Sequence, residues 1–362
     1  MNTAATSPTA SPLDIEDLRA RVQKSLEAFL GRQARVLEEV GDELAPLMEA
    51  TTDLLAGGKR LRAAFCYWGW RGAGGADGPQ ITTAAAALEL FQAAALIHDD
   101  VMDGSDTRRG RPAAHRRFAS LHRGSGWLGD EDAFGVAGAV LLGDLCLCWS
   151  DEMLTGSGLD PDCLARGRAT FDRMRTELMA GQYLDMLEQA VGGGSVHRAQ
   201  RVIRHKSARY SVEQPLLLGG QLAGAAPALL AAYSAYGLPL GEAFQLRDDI
   251  LGVFGDPSQT GKPAGDDLRE GKRTVLVALA LERATPAQVA TVRRHLGDPH
   301  LGAEGVAELR EVLVATGARQ AVEDMIVELS ARARGALEPA ALTDPARAVL
   351  TELVTAATAR QD

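Results

Sequence analysis

One apolar segment that ends in three aspartates is the sequence feature that most constrains the fold. From Ile81 to Ile97 it contains hardly any residue that breaks a helix, and Asp99, Asp100 and Asp103 follow it. On a helix, Asp99 and Asp103 lie one turn apart on the same face. Three like charges at the negative pole of a helix repel one another, so such a helix end favours a bound cation.

The residues around this aspartate cluster indicate which ligands it would hold. Carboxylate oxygens suit Mg²⁺, which keeps several waters and often bridges to the phosphates of a substrate. Arg108, Arg109 and Arg111 follow the cluster, and their planar guanidinium groups match phosphate oxygens. The segment therefore predicts a magnesium and phosphate site. The alternative is a solvated acidic helix end followed by a basic loop.

The remaining sequence predicts an all-α fold. Apolar residues recur at spacings of three and four along most of the chain, and no segment alternates convincingly with period two. The strongly apolar run from Ala137 to Leu154 predicts a buried helix. We expect a single large helical bundle around a central cavity, formed by residues 13–362, and a disordered segment at residues 1–12, which are small and polar.

Composition excludes some classes of function. The formal net charge of the 362-residue chain is -10, which argues against a general nucleic-acid binder. No run of about 18 uninterrupted apolar residues occurs, so no transmembrane helix is expected. The four cysteines lack paired metal-ligand spacing and predict buried, reduced thiols, as in a cytoplasmic protein.

A second acidic cluster lies about 150 residues after the first. Asp248 and Asp249 follow another apolar helical segment, and a loop with further acidic and basic residues comes next, including Lys262 and Lys272. In helical bundles, sites are built from carboxylates on opposing helices. The two clusters are therefore predicted to form facing halves of one cavity.

A basic turn precedes both clusters. Gly57-Gly58-Lys59-Arg60-Leu61-Arg62 combines flexibility with three cations, and on a helix Lys59 and Arg62 are neighbours that could hold one phosphate. The alternative is a basic helix start, which opposes the helix dipole. Gln182 with Asp185, and Lys206 with Ser207, are weaker signals when each pair is considered alone.

Together these motifs resemble the trans-isoprenyl diphosphate synthases of the polyprenyl synthetase family, most of all bacterial geranylgeranyl diphosphate synthases. The resemblance runs from about Asp53 into the C-terminal region. The motifs occur in the family's order, namely Gly57–Arg62, Asp99–Asp103 with Arg108-Arg109, Gly181–Asp185, Lys206-Ser207, Phe244-Gln245 before Asp248-Asp249, and Lys262 and Lys272. The resemblance implies the isoprenoid synthase type I fold and a homodimer.

The resemblance also implies residue roles. Mg²⁺, about three ions per site, would be held by Asp99, Asp103 and Asp248, supported by Asp100, Asp185 and Asp249. The allylic diphosphate would be neutralised by Arg108, Lys206, Lys262 and Lys272. Isopentenyl diphosphate would be bound by Lys59, Arg62, Gln92 and Arg109, and the reacting centre would be lined by Ser207 and Gln245. His98 and His115 are not assigned as bases.

The implied reaction is a head-to-tail condensation of isopentenyl diphosphate with dimethylallyl, geranyl or farnesyl diphosphate. The family places Ala95 and Ala94 on the wall of an apolar tunnel, and Phe91 lies one turn further, about 5.4 Å along the helix axis. If Phe91 forms the floor, the product is geranylgeranyl diphosphate (C20). The alternatives are a farnesyl or longer-chain (C25 or more) product, with Phe91 in ordinary interhelix packing.

Two departures from the family pattern occur. Gly252 replaces the third aspartate that many members carry in the second motif, so either Asp256 compensates or that ligand is dispensable. Ser207 replaces a threonine and keeps its hydroxyl group.

Two rival functions are weighed. A class I terpene cyclase usually carries an Asn-x-x-x-Ser-x-x-x-Glu motif, which is not found here. A silent subunit of a heteromeric synthase usually loses one acidic motif, whereas this chain keeps both.

Overall fold

Helices form nearly all of the structure, a computed structural model that describes residues 15–255 and 265–358. The only strands in these ranges form one short hairpin, β1 (Thr107–Arg108) and β2 (Arg111–Pro112). The helices before the hairpin are α1 (Leu18–Val40), α2 (Ala45–Leu55), α3 (Leu61–Gly72) and α4 (Pro79–Asp103).

The helices after the hairpin complete the bundle and confirm the all-α prediction. They are α5 (Ala114–Ser125), α6 (Glu131–Thr155), α7 (Pro161–Ala190), α8 (Val196–Val202), a π-helix (Ile203–Glu213), α9 (Gln214–Ala223), α10 (Pro227–Phe254), α11 (Asp266–Arg269), α12 (Val275–Arg283), α13 (Pro286–His295), α14 (Ala303–Ala315), α15 (Ala318–Leu337) and α16 (Asp344–Thr358). Short 3₁₀ turns, Ile15–Asp17 and Asp42–Leu44, precede α1 and α2.

Helix α4 is the central helix, and its sequence explains both its ends and its burial. Pro79 stands in its first turn, where a missing N–H costs nothing, and Gly104 ends it in the left-handed conformation. Its small alanines allow α1, α3 and α6 to pack closely around it. The first aspartate cluster therefore occupies the last turn of a helix that α1, α3 and α6 enclose.

The second acidic cluster lies near the end of α10, which packs against the π-helix and α15. Close approach to the π-helix requires glycine, because a Cβ at Gly241 would lie 2.6 Å from the Cα of Ala208. On α7, a Cβ at Gly181 would lie 2.4 Å from the backbone nitrogen of Lys206. The π-helix is thus held between α7 and α10 by backbone contact on both sides.

Buried apolar side chains form two clusters. The larger one joins α1–α4, α6, α7, α9 and α16 with the first part of α10. The smaller one joins the end of α10 with α12–α15. Because α10 contributes to both clusters, the second acidic motif near its end lies beside the smaller cluster. The single-domain boundary at residue 13 stays a prediction, and residues 1–12 lie outside the described residues.

Helix α6 departs from the prediction. The apolar run from Ala137 to Leu154 is helical as expected, but it is not buried throughout. Val140 is 40% exposed and Leu141 is 62% exposed. Cys148 is exposed and Cys163 only partly buried, so the expectation of buried thiols holds for Cys66 and Cys146 but not for these two.

Two helices, α4 and α6, are long and apolar enough to cross a membrane when judged by length and composition alone. In α4, 78% of the most apolar window is buried inside the fold, as in the core helix of a globular protein. In α6 the corresponding share is 39%. The absence of a transmembrane helix therefore stays a prediction.

Candidate active site

A single cavity of about 710 Å³ lies between the ends of α4 and α10. Both acidic motifs contribute to its wall, through Asp99 on one side and Asp248 and Asp249 on the other. Other predicted site residues also line it, namely Lys59, Arg62, Gln92, Ala95, Arg108, Gln182, Asp185, Lys206, Ser207, Gln245 and Lys272. Lys262 and Asp256 lie outside the described residues.

Asp99 is surrounded by positive and hydrogen-bond-donating groups. The Nζ of Lys206 lies 2.9 Å from its Oδ1, and Gln182 Nε2 donates to the same oxygen at 3.0 Å. Arg108 donates to Asp99 at 3.4 Å. Burial opposes ionisation of Asp99, but the charges of Lys206, Lys272 and Arg108 outweigh it and lower the pKa to about 2.

The other two aspartates of the first motif have different surroundings. Asp100 is buried and accepts from Arg108 Nε at 2.9 Å. It faces a second, adjoining cavity of about 410 Å³. Asp103 keeps a buried Oδ2 that accepts no hydrogen bond, with Lys272 Nζ at 3.8 Å. Burial, followed by the negative charge of Asp99, raises the pKa of Asp103 to about 6.

In the second motif, Asp249 is the most deeply buried acid. Gln245 Nε2 donates to its Oδ1 at 2.8 Å, whereas its Oδ2 accepts no hydrogen bond. Burial raises the pKa of Asp249 to about 8, and the negative charges of Asp267 and Asp248 act in the same direction. A buried carboxylate beside two other carboxylates is unfavourable, so Asp249 takes up a proton unless a cation joins it.

This donor set fits Mg²⁺. The oxygens are hard ligands, and Asp103 and Asp249 each present one buried oxygen without a hydrogen bond. Among the described residues, no group of three or more acidic, histidine or cysteine side chains could hold a metal ion by itself. That arrangement agrees with Mg²⁺, which commonly binds through a few carboxylates, several waters and the phosphates of a substrate.

The basic wall of the cavity, which Lys59 and Arg62 form, is positioned by a buried ion pair. Arg60 adopts φ 54° and directs its side chain inward, where Nη1 lies 3.3 Å from Glu89 Oε2. Glu89 Oε1 also accepts from the backbone N–H of Ala63, in the first turn of α3, at 3.3 Å. The pair therefore fixes the turn from which Lys59 and Arg62 reach the cavity.

Arg62 contacts the π-helix directly. Its guanidinium group lies 4.3 Å from the ring centroid of Tyr210, and Nη2 donates to Ser211 Oγ at 2.6 Å. Tyr210 in turn donates its hydroxyl to Gln92 Oε1 at 2.8 Å. Three groups on separate elements are thus connected on one wall of the cavity.

Arg109 lies apart from the main cavity wall. It adopts φ 53° in the hairpin and donates from Nη1 to the carbonyl of Leu54 at 2.8 Å. It lines the second cavity, which Arg108 also borders. Burial, together with the charges of neighbouring arginines, lowers the pKa of Arg109. Such a group favours a bound anion.

The π-helix brings Lys206, Ser207 and Tyr210 to the same cavity. Lys206 Nζ lies 2.6 Å from Asp185 Oδ2 as well as beside Asp99, so it links α7 to α4. Burial opposes its charge, but Asp99 and Asp185 outweigh that effect and raise the pKa of Lys206. Tyr210 escaped the sequence analysis, because the π-helical spacing that turns it inward is not visible in the residue pattern.

The three predicted chain-length residues occupy different depths. Ala95 lines the cavity, while Ala94 and Phe91 are buried behind the wall. The ring of Phe91 meets that of Tyr210 edge-on at 6.2 Å and lies 6.4 Å from that of Phe171. Tyr210 therefore separates Phe91 from the cavity. His98 and His115 are not among the lining residues.

Comparison with known proteins gives consistent matches. A family model described as polyprenyl synthetase matches residues 45–313. The chain is 32% identical over 298 residues to a geranylgeranyl diphosphate synthase of Mycobacterium tuberculosis, covering 82% of this chain and 79% of that protein. It is also 32% identical over 282 residues to the octaprenyl diphosphate synthase of Escherichia coli, covering 75% of this chain and 80% of that one.

A solved structure agrees with the fold. A geranylgeranyl pyrophosphate synthase of Corynebacterium glutamicum, complexed with isoprenyl diphosphate and magnesium, matches with a TM-score of 0.92 and 41% identity. The match covers 95% of this chain and 99% of that one. With both acidic motifs on one cavity, these matches show that the chain belongs to the polyprenyl synthetase family of magnesium-dependent prenyltransferases, which share the all-α isoprenoid synthase type I fold.

Proposed function

We propose that this protein condenses isopentenyl diphosphate head-to-tail with an allylic diphosphate, and that its main product is geranylgeranyl diphosphate (C20). The observation that carries the proposal is the shared cavity, on which Asp99 and Asp248 both lie. Two of the relatives described above are named as geranylgeranyl synthases. The proposed allylic substrates are dimethylallyl, geranyl and farnesyl diphosphate.

We propose that the acidic residues hold about three Mg²⁺ ions, with Asp99, Asp103 and Asp248 as ligands. Bound Mg²⁺ would supply Lewis-acid stabilisation of the diphosphate charge. Arg108, Lys206 and Lys272 neutralise the same diphosphate, so the allylic C–O bond breaks with both electrons leaving on oxygen. These side chains are already oriented by ion pairs.

The second substrate binds on the basic wall in this proposal. Lys59, Arg62 and Arg109 hold the diphosphate of isopentenyl diphosphate, and Gln92 and the wall around it position its alkene. The alkene attacks the allylic carbon and forms the new C–C bond. The carbon next to the resulting cation then loses a proton to the departing diphosphate. The electrons of that C–H bond form the new double bond. Enclosure by the helices keeps water from capturing the cation.

The test is direct product analysis. Purified protein with Mg²⁺ and isopentenyl diphosphate is incubated with each allylic diphosphate, and the prenyl alcohol is identified after phosphatase treatment. We expect geranylgeraniol. Diphosphate release from an allylic substrate without isopentenyl diphosphate would instead favour a class I cyclase, and no turnover with any primer would favour a silent subunit.

Chain length depends in this proposal on an aromatic wall. Ala95 leaves room beside the first motif, while Tyr210 backed by Phe91 limits the depth. We expect Phe91→Ala to lengthen the product beyond C20, because Tyr210 loses the ring behind it. Phe29→Ala removes a ring of the same size from the contact with Trp149, elsewhere in the core, and should leave product length unchanged. An unchanged product in Phe91→Ala would show that Phe91 does not limit chain length.

We also propose a cytoplasmic homodimer that binds no nucleic acid. Exposed apolar side chains on α6 and α7 support the dimer, including Val140, Leu141, Met179 and Tyr183. Sedimentation should give twice the chain mass. Leu141→Glu should shift the protein towards the monomer, and a monomeric wild type would refute the proposal.

A further inference from the structure

A buried ion pair lies on the π-helix, outside the residues that line the cavity. Glu213, the last residue of this helix, is only 2% exposed, and Arg209 Nε lies 2.7 Å from its Oε2. A buried carboxylate is costly unless a cation and hydrogen-bond donors join it. Neither residue lines the cavity, so any effect of the pair on substrates passes through neighbouring side chains.

The pair is tied to the helices on both sides of the π-helix. Arg209 Nη1 lies 2.8 Å from Glu177 Oε1 on α7, and Ser234 of α10 donates from Oγ to Glu213 Oε1 at 2.5 Å. Gly237 of α10 allows this approach, because a Cβ there would lie 2.8 Å from the Cα of Glu213. The pair therefore connects α7, the π-helix and α10, and it fixes the direction in which Arg209 points.

The residue after Arg209 is Tyr210, which lines the cavity. Its hydroxyl donates to Gln92 Oε1, and the guanidinium group of Arg62 lies over its ring. Because Tyr210 follows Arg209 directly, holding Arg209 towards α7 determines which way Tyr210 turns. A site side chain keeps a precise orientation only when packing and a further layer of hydrogen bonds hold it. The positions of Gln92 and Arg62 thus depend on the ion pair behind Tyr210.

The first part of the π-helix has separate support. Lys206 Nζ lies 2.9 Å from Asp99 and 2.6 Å from Asp185. Neither contact involves Arg209 or Glu213. Loss of the buried pair should therefore displace Tyr210 and leave Lys206 in place.

We propose that Arg209 and Glu213 are positioning residues, which hold Tyr210 so that Arg62 and Gln92 are oriented for isopentenyl diphosphate. The inference rests on the proposed function and names residues that act on one of its two substrates. Binding of isopentenyl diphosphate depends on the pair, whereas binding of the allylic diphosphate does not.

The experiment measures the KM of each substrate separately. Purified protein with Mg²⁺ is assayed with isopentenyl diphosphate varied at saturating farnesyl diphosphate, and then with the two exchanged. We expect Arg209→Met to raise the KM of isopentenyl diphosphate at least fivefold and that of farnesyl diphosphate less than twofold. Arg209→Lys keeps the charge but not the planar fork that contacts two acids, so its KM should lie between those of wild type and Arg209→Met.

A matched control uses a second ion pair between the π-helix and α10. Arg204 Nε lies 2.9 Å from Glu242 Oε1. Arg204→Met removes the same charge from the same helix and should change both KM values less than twofold. Circular dichroism shows whether each variant is folded. If Arg209→Met does not fold, Glu213→Gln, which keeps the shape of the side chain, is expected to raise the same KM.

A double variant separates positioning from simple charge neutralisation. Replacing both partners leaves no buried charge unpaired, so Arg209→Met with Glu213→Met should melt at a higher temperature than Arg209→Met alone. Its KM for isopentenyl diphosphate should nevertheless stay raised. A double variant with the wild-type KM would overturn the proposal, as would the wild-type KM in folded Arg209→Met or in Glu213→Gln.

The same assay distinguishes this inference from the proposed function. If wild type extends farnesyl diphosphate to the C20 product and the variants keep its KM values, only the role of Arg209 and Glu213 is wrong. If wild type consumes no isopentenyl diphosphate with any allylic diphosphate, the proposed function and the inference fall together.

Discussion

The two acidic helix ends use the same residue type but balance its charge differently. At the end of α4, Asp99 and Asp100 are paired with Arg108, and Asp99 also with Lys206. At the end of α10, Asp249 has an amide partner, Gln245, and other carboxylates nearby. The pKa shifts follow this contrast, since the pKa of Asp99 falls to about 2 and that of Asp249 rises to about 8.

The difference teaches that Asp99 and Asp100 are balanced by side chains of the protein, whereas Asp249 takes up a proton unless a cation joins it. Lys272 connects the two halves, because its Nζ lies 3.8 Å from Asp103 and 3.2 Å from Asp267. In the metal-free protein, ion pairs therefore keep Asp99 charged, whereas Asp249 is mostly protonated at neutral pH. We expect both halves to be needed for catalysis, and the ion pairs of Asp99 to contribute to stability without Mg²⁺.

The largest expected effect is the loss of activity when an aspartate is replaced in either acidic helix end. Asp99→Asn and Asp248→Asn should each lower kcat on the order of 10²–10³-fold, because each removes charge that holds the ions neutralising the leaving group. Steady-state diphosphate release measures this loss. If one variant kept more than about a tenth of wild-type activity, a single acidic helix end would suffice for catalysis, and the two ends would not both be required.

The next effect separates the two halves by stability. Lys206→Met leaves Asp99 and Asp185 without their lysine, and removing one partner of a buried ion pair costs on the order of 2–4 kcal/mol. Chemical denaturation without Mg²⁺ should show this loss of unfolding free energy. Gln245→Leu, which removes the amide partner of Asp249 in the second half, should lower the unfolding free energy by less. Equal losses in the two variants would contradict the contrast.

Much of the first half could be predicted from sequence. The apolar run, its three aspartates and the glycine after them specify a helix that ends at the cluster, and the structure places that end at Asp103. The following arginines are close in sequence, so a short hairpin suffices to return Arg108 to Asp100. Local patterns of this kind need no knowledge of the tertiary fold.

The second half could be predicted only in outline. The aspartate pair on α10 follows from periodicity, but the carboxylate beside Gly252 belongs to Asp267 on α11, and no local pattern links positions 252 and 267. The π-helix is also invisible, because its sequence reads as a continuation of α8. The exposed side of α6 could not be predicted, because hydrophobicity alone does not distinguish a buried helix face from an exposed apolar one.

The smallest expected effect is a pH dependence above pH 6.5 that comes from Asp249 in the second half. The pKa of Asp249 is about 8 in the folded protein and close to 3.8 when unfolded. Between these values the unfolded chain binds fewer protons, so the unfolding free energy falls as pH rises. Between pH 6.5 and 8 we expect a fall on the order of 1–2 kcal/mol in metal-free wild type. Asp249→Asn should remove this slope, whereas Asp144→Asn, at a 60% exposed side chain, should keep it. If Asp249→Asn kept the wild-type slope, Asp249 would not be the group that takes up this proton, and the contrast between the two helix ends would lose its titrating residue.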